Sequence, residues 1–351
     1  MARRTRKSSL SSALQRSFGA LTRATLKAGS RALVEATRQA TKQATKQLVR
    51  PARKRSAAAR PRRAAAADPA AALTGIALGP AGARRYQLYK PKGARKSVPL
   101  PLLVMLHGCG QDAASFARST RVPALAARAG FFVLFVEQDR IANPQACWNW
   151  YDTHSGRAFG EAALIIAAID QVCALHAIDR ARVAVAGLSA GASMAAWLGV
   201  RYPERFKAVA MHSGVAAGAA HSAASALRAM RGQGRLSPLA DGLLLPPLLV
   251  IHGSADGVVA PRNALITAQW WAAASGAKPV AERRLQRGQR HAMVVTDFRH
   301  RRKVVASLCE ISGLGHAWSG GAAGQPYSDP RGPDATRMIL AFAARCFRLA
   351  A

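Results

Sequence analysis

Ala181-Arg182-Val183-Ala184-Val185-Ala186-Gly187-Leu188-Ser189-Ala190-Gly191 is an alternating apolar run that ends in Gly-x-Ser-x-Gly. Met194, Trp197 and Leu198 follow at helical spacing. Strand, tight turn and helix form the context of a nucleophile elbow. Such a turn leaves no room for side chains at its flanks, hence glycine at 187 and 191. A serine at its apex is thrust clear of the sheet, where a base can take its proton. A plain Gly/Ser turn between strand and helix gives the same five letters, so the rest of the chain decides.

Outward from this stretch, apolar strand-like runs alternate with helical ones. Tyr86 to Tyr89, Pro101 to Leu106, Phe131 to Val136, Val183 to Ala186, Phe206 to Ala210 and Leu248 to Ile251 read as strands. Ala113 to Ala129, Phe159 to Leu175, Ala192 to Tyr202 and Asn263 to Ala274 read as helices. Continuous apolar strands between helices imply a mostly parallel, doubly wound sheet covered on both faces. Sites in such sheets form beyond the carboxyl ends of the strands. The polar candidates cluster at those ends.

A serine hydroxyl needs a base, an acid that orients the base, and donors for the oxyanion. In α/β-hydrolases the order along the chain is serine, carboxylate, histidine. After Ser189, the strand Leu248 to Ile251 runs into His252-Gly253-Ser254-Ala255-Asp256, which puts Asp256 just past a strand end. Capping the helix near Pro261 is its alternative role. His316 lies in the glycine-rich loop Gly313 to Gly321, after the strand-like run Val304 to Ile311. His291 and His300 fall in a strongly basic stretch and are expected to face solvent. Ser189, Asp256 and His316 are therefore the expected catalytic set. The oxyanion donors are expected to be Ala190 N–H, directly after the nucleophile, and Cys109 N–H in the loop His107-Gly108-Cys109-Gly110. The Cys109 thiol is a rival nucleophile, but no elbow surrounds it. His107 precedes the serine and is expected to be structural.

Together these pieces resemble the polyhydroxybutyrate (PHB) depolymerase family of esterases. The resemblance rests on Leu106 to Gln111, Cys147-Trp148-Asn149-Trp150-Tyr151, Ala186 to Gly191, His252 to Asp256 and Gly315 to Gly321. It runs from about residue 84 to the end and implies an α/β-hydrolase fold. It further implies a serine hydrolase for short-chain hydroxyalkanoate polyesters, their oligomers or other carboxylic esters, with no metal and no cofactor. Related enzymes act on acetyl and feruloyl esters of plant cell walls. The resemblance also implies that Trp148, Trp150 and Trp318 offer apolar faces to substrate, with core packing as the alternative. It brings Cys109 and Cys147 into two neighbouring loops, where a disulfide would brace the oxyanion loop.

The chain has 351 residues, with 51 Lys and Arg against 17 Asp and Glu, a formal net charge of +34. Residues 1–70 hold 18 of the basic residues and two acids. Such a field attracts anionic surfaces without specifying which. Residues 1–50 read as a basic amphipathic helical or disordered extension, with Leu10, Leu14, Phe18 and Leu21 on one face and a four-residue repeat from Ala36 to Gln47. Residues 51–73 read as an Ala/Arg/Pro linker and 74–351 as the catalytic domain. The extension is a candidate contact for a polyester granule or an anionic lipid surface. It lacks aromatic interleaving, so specific nucleic-acid recognition is not expected. A non-catalytic granule- or membrane-surface protein with this fold would show a broken triad, and every part is present here. No run approaches roughly 18 consecutive apolar residues. Charged residues also fill the place of a signal core. The cytoplasm is thus the expected compartment, with export implied only by the resemblance. Five cysteines without a CxxC suggest neither a metal site nor a disulfide framework by themselves.

Overall fold

The computed structural model describes residues 72–350 apart from 241 and 242. The expectations for residues 1–50, and nearly all of the linker, lie outside the described residues. The first strand begins at Leu73, inside the predicted linker by one residue.

The first strands among the described residues are β1 (Leu73–Gly79), β2 (Gly82–Tyr89), β3 (Leu100–Leu106) and, after two helices, β4 (Phe132–Val136). Next come β5 (Ile178–Leu188), β6 (Ala208–His212) and β7 (Leu248–Gly253). Strands β8 (Lys278–Pro279), β9 (Arg283–Leu285), β10 (Met293–His300) and β11 (Lys303–Ile311) complete an 11-stranded sheet. Its order is β1-β2-β4-β3-β5-β6-β7-β11-β10-β8, with β9 also on β10. The six strands from β4 to β11 in that order are parallel, and the additions at both edges are antiparallel. A separate pair, β12 (Trp318–Ser319) with β13 (Ser328–Asp329), lies in the last long loop.

The continuous apolar runs follow from this topology, because each central strand is buried on both faces. Leu102, Val104 and Leu106 of β3 enter one core, while Leu103 and Met105 enter the other. Helices α1 (Ala113–Thr120), α2 (Val122–Arg128) and α7 (Ala335–Ala350) cover the second face. Helices α3 (Arg157–Leu175), α4 (Ala190–Arg201), α5 (Ala223–Met230) and α6 (Arg262–Ala273) cover the first. Helix α3 is long and apolar enough to cross a membrane by composition, yet it packs on β1, β2 and β5.

The expected single helix Ala113 to Ala129 is two helices. Arg121 turns left-handed between them (φ 58°) and holds Gly320 O and Asp334 with its guanidinium. Pro123 then sits in the first turn of α2, where its missing N–H costs nothing.

Candidate active site

The elbow owes its shape to steric exclusion. A Cβ on Gly191 would lie 2.1 Å from Leu106 O, and one on Gly187 would lie 2.3 Å from Gly191 C and O. Only glycine lets β5, the turn and α4 approach this closely to β3. Ser189 between them has φ 57° and ψ −119°, a strained conformation for a residue with a Cβ. Its N–H is held by His212 O at 2.8 Å, and among the described residues its hydroxyl has no hydrogen-bond partner.

Asp256 and His316, 60 residues apart, meet above the carboxyl ends of β7 and β11. His316 Nδ1–H donates to Asp256 Oδ2 at 2.8 Å. Asp256 does not cap α6. Its Oδ1 instead accepts from Val258 N–H and Val259 N–H, each at 2.9 Å, which closes the turn after β7. Its carboxylate is buried. Burial alone would raise its pKa, but the His316 and His252 partners outweigh this and hold it well below the usual carboxylate range. The arrangement leaves His316 Nε2 as the acceptor position of the ring.

Sequence reasoning quoted His252 only as part of a motif. Its Nε2–H is shared between Val259 O at 3.0 Å and Asp256 Oδ2 at 3.2 Å, so two imidazoles hold one carboxylate oxygen. Its own Nδ1 is buried without a partner. The i, i+4 placement of His252 and Asp256 was the available signal. His252→Leu is expected to lower kcat about tenfold to hundredfold with KM little changed. His252→Gln, which keeps a donor, should recover most of the loss; steady-state kinetics on one soluble ester checks both.

The loop after β3 leaves one N–H free. Gly108 N–H donates to Gln111 Oε1 (3.0 Å), Gly110 N–H to Gln145 O (2.8 Å) and Gln111 N–H to Gly108 O (3.3 Å). Cys109 N–H has no acceptor among the described residues, and Ala190 N–H, in the first turn of α4, has none within its helix. The Cys109 and Cys147 sulfurs form a disulfide, so that thiol is not a nucleophile. Cys173, Cys309 and Cys346 are free.

Beneath the disulfide lies a polar network that the sequence did not reveal. Glu161 of α3 accepts from Gln138 Nε2 (2.6 Å), Asn149 N–H (2.8 Å) and Asn149 Nδ2 (2.6 Å), with Arg84 3.7 Å away. Burial raises the pKa of this carboxyl, and the donors oppose it. Gln138 Nε2 also reaches Cys147 O at 3.0 Å, so the network fixes the loop that the disulfide joins to the turn after β3. One acidic residue in the otherwise apolar run Gly160 to Ile169 was the only hint.

The three tryptophans depart from expectation. Trp148 and Trp318 are 0 % exposed and Trp150 is 6 % exposed, so none offers an open face to substrate. Trp148 Nε1–H donates to His107 O at 3.1 Å, and Trp150 packs edge-on against Tyr151. Trp318 stacks on the His212 ring and donates to Thr336 Oγ1 at 3.1 Å. They set the positions of the loops around the site and take the packing role. His300 is exposed as expected, but His291 is half-buried and bound to Asp329 at 3.2 Å.

His107 and His212 are buried, neutral pillars. His107 Nδ1–H donates to Gly108 O (2.8 Å) while Nε2 accepts from Gln138 N–H (3.0 Å). His212 Nε2 accepts from Ser319 N–H (3.1 Å), anchoring the loop that carries His316. Burial pushes their pKa values from 6.5 down to about 4 and about 3. Below pH 6.5 the unfolded chain therefore binds protons that the folded chain refuses, so stability falls with acidification. Thermal melts should be flat in this contribution above pH 7 and drop steadily from about pH 6.5 towards pH 3 to 4. A melting temperature unchanged from pH 7 to pH 4 would contradict this reading.

The family described as Esterase PHB depolymerase matches residues 84–287. Poly(3-hydroxyalkanoate) depolymerase C of Paucimonas lemoignei is 33% identical over 204 residues, 55% of this chain and 49% of that protein. The match thus spans about half the length of that relative. Feruloyl esterase B of Neurospora crassa is 31% identical over 212 residues, 55% of this chain and 70% of the relative. Among solved structures, acetyl xylan esterase from Aspergillus awamori superposes with a TM-score of 0.57 at 20% identity. The overlap takes in 70% of this chain and 94% of that one, a likeness of fold.

Proposed function

The chain belongs to the Esterase PHB depolymerase family, and from that premise we propose that it hydrolyses carboxylic esters by a Ser189-His316-Asp256 acyl-enzyme mechanism. The observation that carries the reading is the 2.8 Å contact of His316 Nδ1 with Asp256 Oδ2, together with Ser189 on a strained elbow and His212 bonded both to Ser189 N–H and to the loop that carries His316. Asp256 fixes the tautomer in which His316 Nε2 is a base. Ser189 Oγ attacks the ester carbonyl and its proton passes to Nε2. Cys109 and Ala190 N–H groups receive the oxyanion. His316 then protonates the departing alcohol, and the same nitrogen activates water to release the acid. The disulfide holds Cys109 in place while charge develops.

The substrate class we favour is short-chain polyhydroxyalkanoate, as polymer or oligomer, supported by the likeness to the Paucimonas depolymerase. A feruloyl-type substrate is the second reading, supported by the Neurospora esterase, which matches over more of its own length. The Cys109–Cys147 disulfide favours an oxidising compartment over the cytoplasm expected from the sequence.

The test offers full-length protein p-nitrophenyl butyrate, soluble 3-hydroxybutyrate oligomers, PHB suspension and methyl ferulate, and labels it with a fluorophosphonate. Turnover of the butyrate and oligomers with label on Ser189 is expected. Preferential turnover of methyl ferulate would favour the second reading. No ester turnover and no label would remove both.

A further inference from the structure

A cavity of about 580 Å³ lies between the turn that follows β9 and the first turns of α7. None of Ser189, Asp256 or His316 lines it. Its apolar lining comes from Leu285, Met293, Met338 and Ala341. Leu285 stands 46% exposed there, an aliphatic side chain left uncovered at the sheet edge. Most of the remaining lining is charged. Asp334 contributes the one carboxylate, already engaged by Arg121 at 3.1 Å and Arg337 at 3.4 Å. His291, also in the lining, is bound to Asp329. Arg287 and Arg290 have no carboxylate partner among the described residues. Arg290 is not a loose surface chain, because its guanidinium donates to Gly332 O at 2.6 Å and stays at the cavity edge.

A cavity of ligand-site size, with an apolar lining and two guanidinium groups without counter-charges, matches an amphiphile with an anionic head. Two thioether side chains let the lining adapt to an unbranched chain. A purely polar anion leaves the aliphatic lining wet, and a neutral chain leaves the guanidinium groups without a partner. We propose that this cavity is a binding site for a medium-chain monocarboxylate, separate from the site of ester cleavage. Leu285, Met293 and Met338 hold the chain, and Arg287 and Arg290 hold the carboxylate. The binding does not rest on the proposed activity, whose favoured products are shorter acids.

Decanoate is the probe, titrated calorimetrically into full-length protein, with decanol, acetate and decyl phosphate as comparisons. One saturable decanoate site is expected, and it should survive covalent blocking of the serine with a fluorophosphonate. Decanol and acetate should bind far more weakly. The double variant Arg287→Gln/Arg290→Gln should lose at least about tenfold in affinity, since two charge-assisted contacts disappear. Its turnover of p-nitrophenyl butyrate and its melting temperature report that the fold is intact. A second variant, Met338→Glu, sets a carboxylate in the chain channel and should abolish binding by itself. Binding lost on blocking the serine, binding untouched by either variant, or no saturable binding would each overturn the proposal. Tighter binding of decyl phosphate than of decanoate would overturn the carboxylate assignment. Should Ser189 resist the label, the esterase reading fails, and the two variants still decide the cavity.

Discussion

Ser189→Ala is expected to lower kcat for a soluble ester by roughly 10⁴- to 10⁶-fold, with folding intact. The size of the loss follows from the absence of a substitute. The sulfur of Cys109 is tied to Cys147 in a disulfide, so it offers no second nucleophile in the turn after β3. In the proposed mechanism, what remains is the positioning of substrate and the N–H groups of Cys109 and Ala190, which would serve a water attack only weakly. Stability should change by no more than about 0.5 kcal/mol, because the hydroxyl has no protein partner to abandon and alanine tolerates the same backbone about as well as serine. Steady-state kinetics with p-nitrophenyl butyrate, alongside a thermal melt, makes the measurement. A variant that turns over within about tenfold of wild type would remove Ser189 from the mechanism.

The elements legible in the sequence are those whose local pattern and tertiary setting agree. Strands β3 and β4 are apolar throughout, and β7 is apolar up to His252, because they are covered on both faces, and their runs marked them to within a residue or two. The elbow was readable because steric exclusion at Gly187 and Gly191 permits little else. Asp256 and His316 were reachable through chain order and their places after strands, although nothing local to either residue predicts a 2.8 Å contact. Strand β1 was not marked, since Gly75 and Gly79 weaken its pattern. Gly75 is there because the Tyr86 ring of β2 lies over it, with 2.3 Å from Cζ to the position a Cβ would take. The break at Arg121 depends on Gly320 and Asp334, about 200 residues away in sequence, which no window around the helix contains. The tryptophans are the instructive miss. A motif places an indole near a site, but which side of it meets solvent is settled by packing, and here His212 stacks on Trp318 while Phe116 meets it edge-on. Glu161 was hidden because its partners Gln138 and Asn149 stand 23 and 12 residues before it, in the connection that leads into α3 and outside any helical spacing.

Asp256→Asn is expected to cost about 10⁴-fold in kcat, and the hydrogen bonds around the side chain say why. Oδ1 accepts two backbone N–H groups and must remain oxygen. The amide nitrogen then replaces Oδ2 and turns a donor towards both His316 Nδ1 and His252 Nε2. His316 answers by moving its proton to Nε2, the tautomer that cannot accept the serine proton. His252, held also by Val259 O, has no comparable escape, so the substitution opposes two N–H groups in a buried place and lowers stability as well. Sign and window follow from the depressed pKa of Asp256. Its charged form contributes stability above the ordinary carboxylate pKa of 3.8, and that contribution is lost as pH falls through the lower folded value. The gap in melting temperature between wild type and variant should therefore be full and constant near neutrality. It should narrow only in strong acid; the proton change of His107 is common to both proteins, whereas His212 loses the Asp256 charge that raises its pKa and resists protonation still more in the variant. The assay needs freshly purified protein, because asparagine before Gly257 can deamidate back to aspartate and restore turnover. A variant with undiminished kcat and no return of activity on storage would show that His316 needs no carboxylate to act as base.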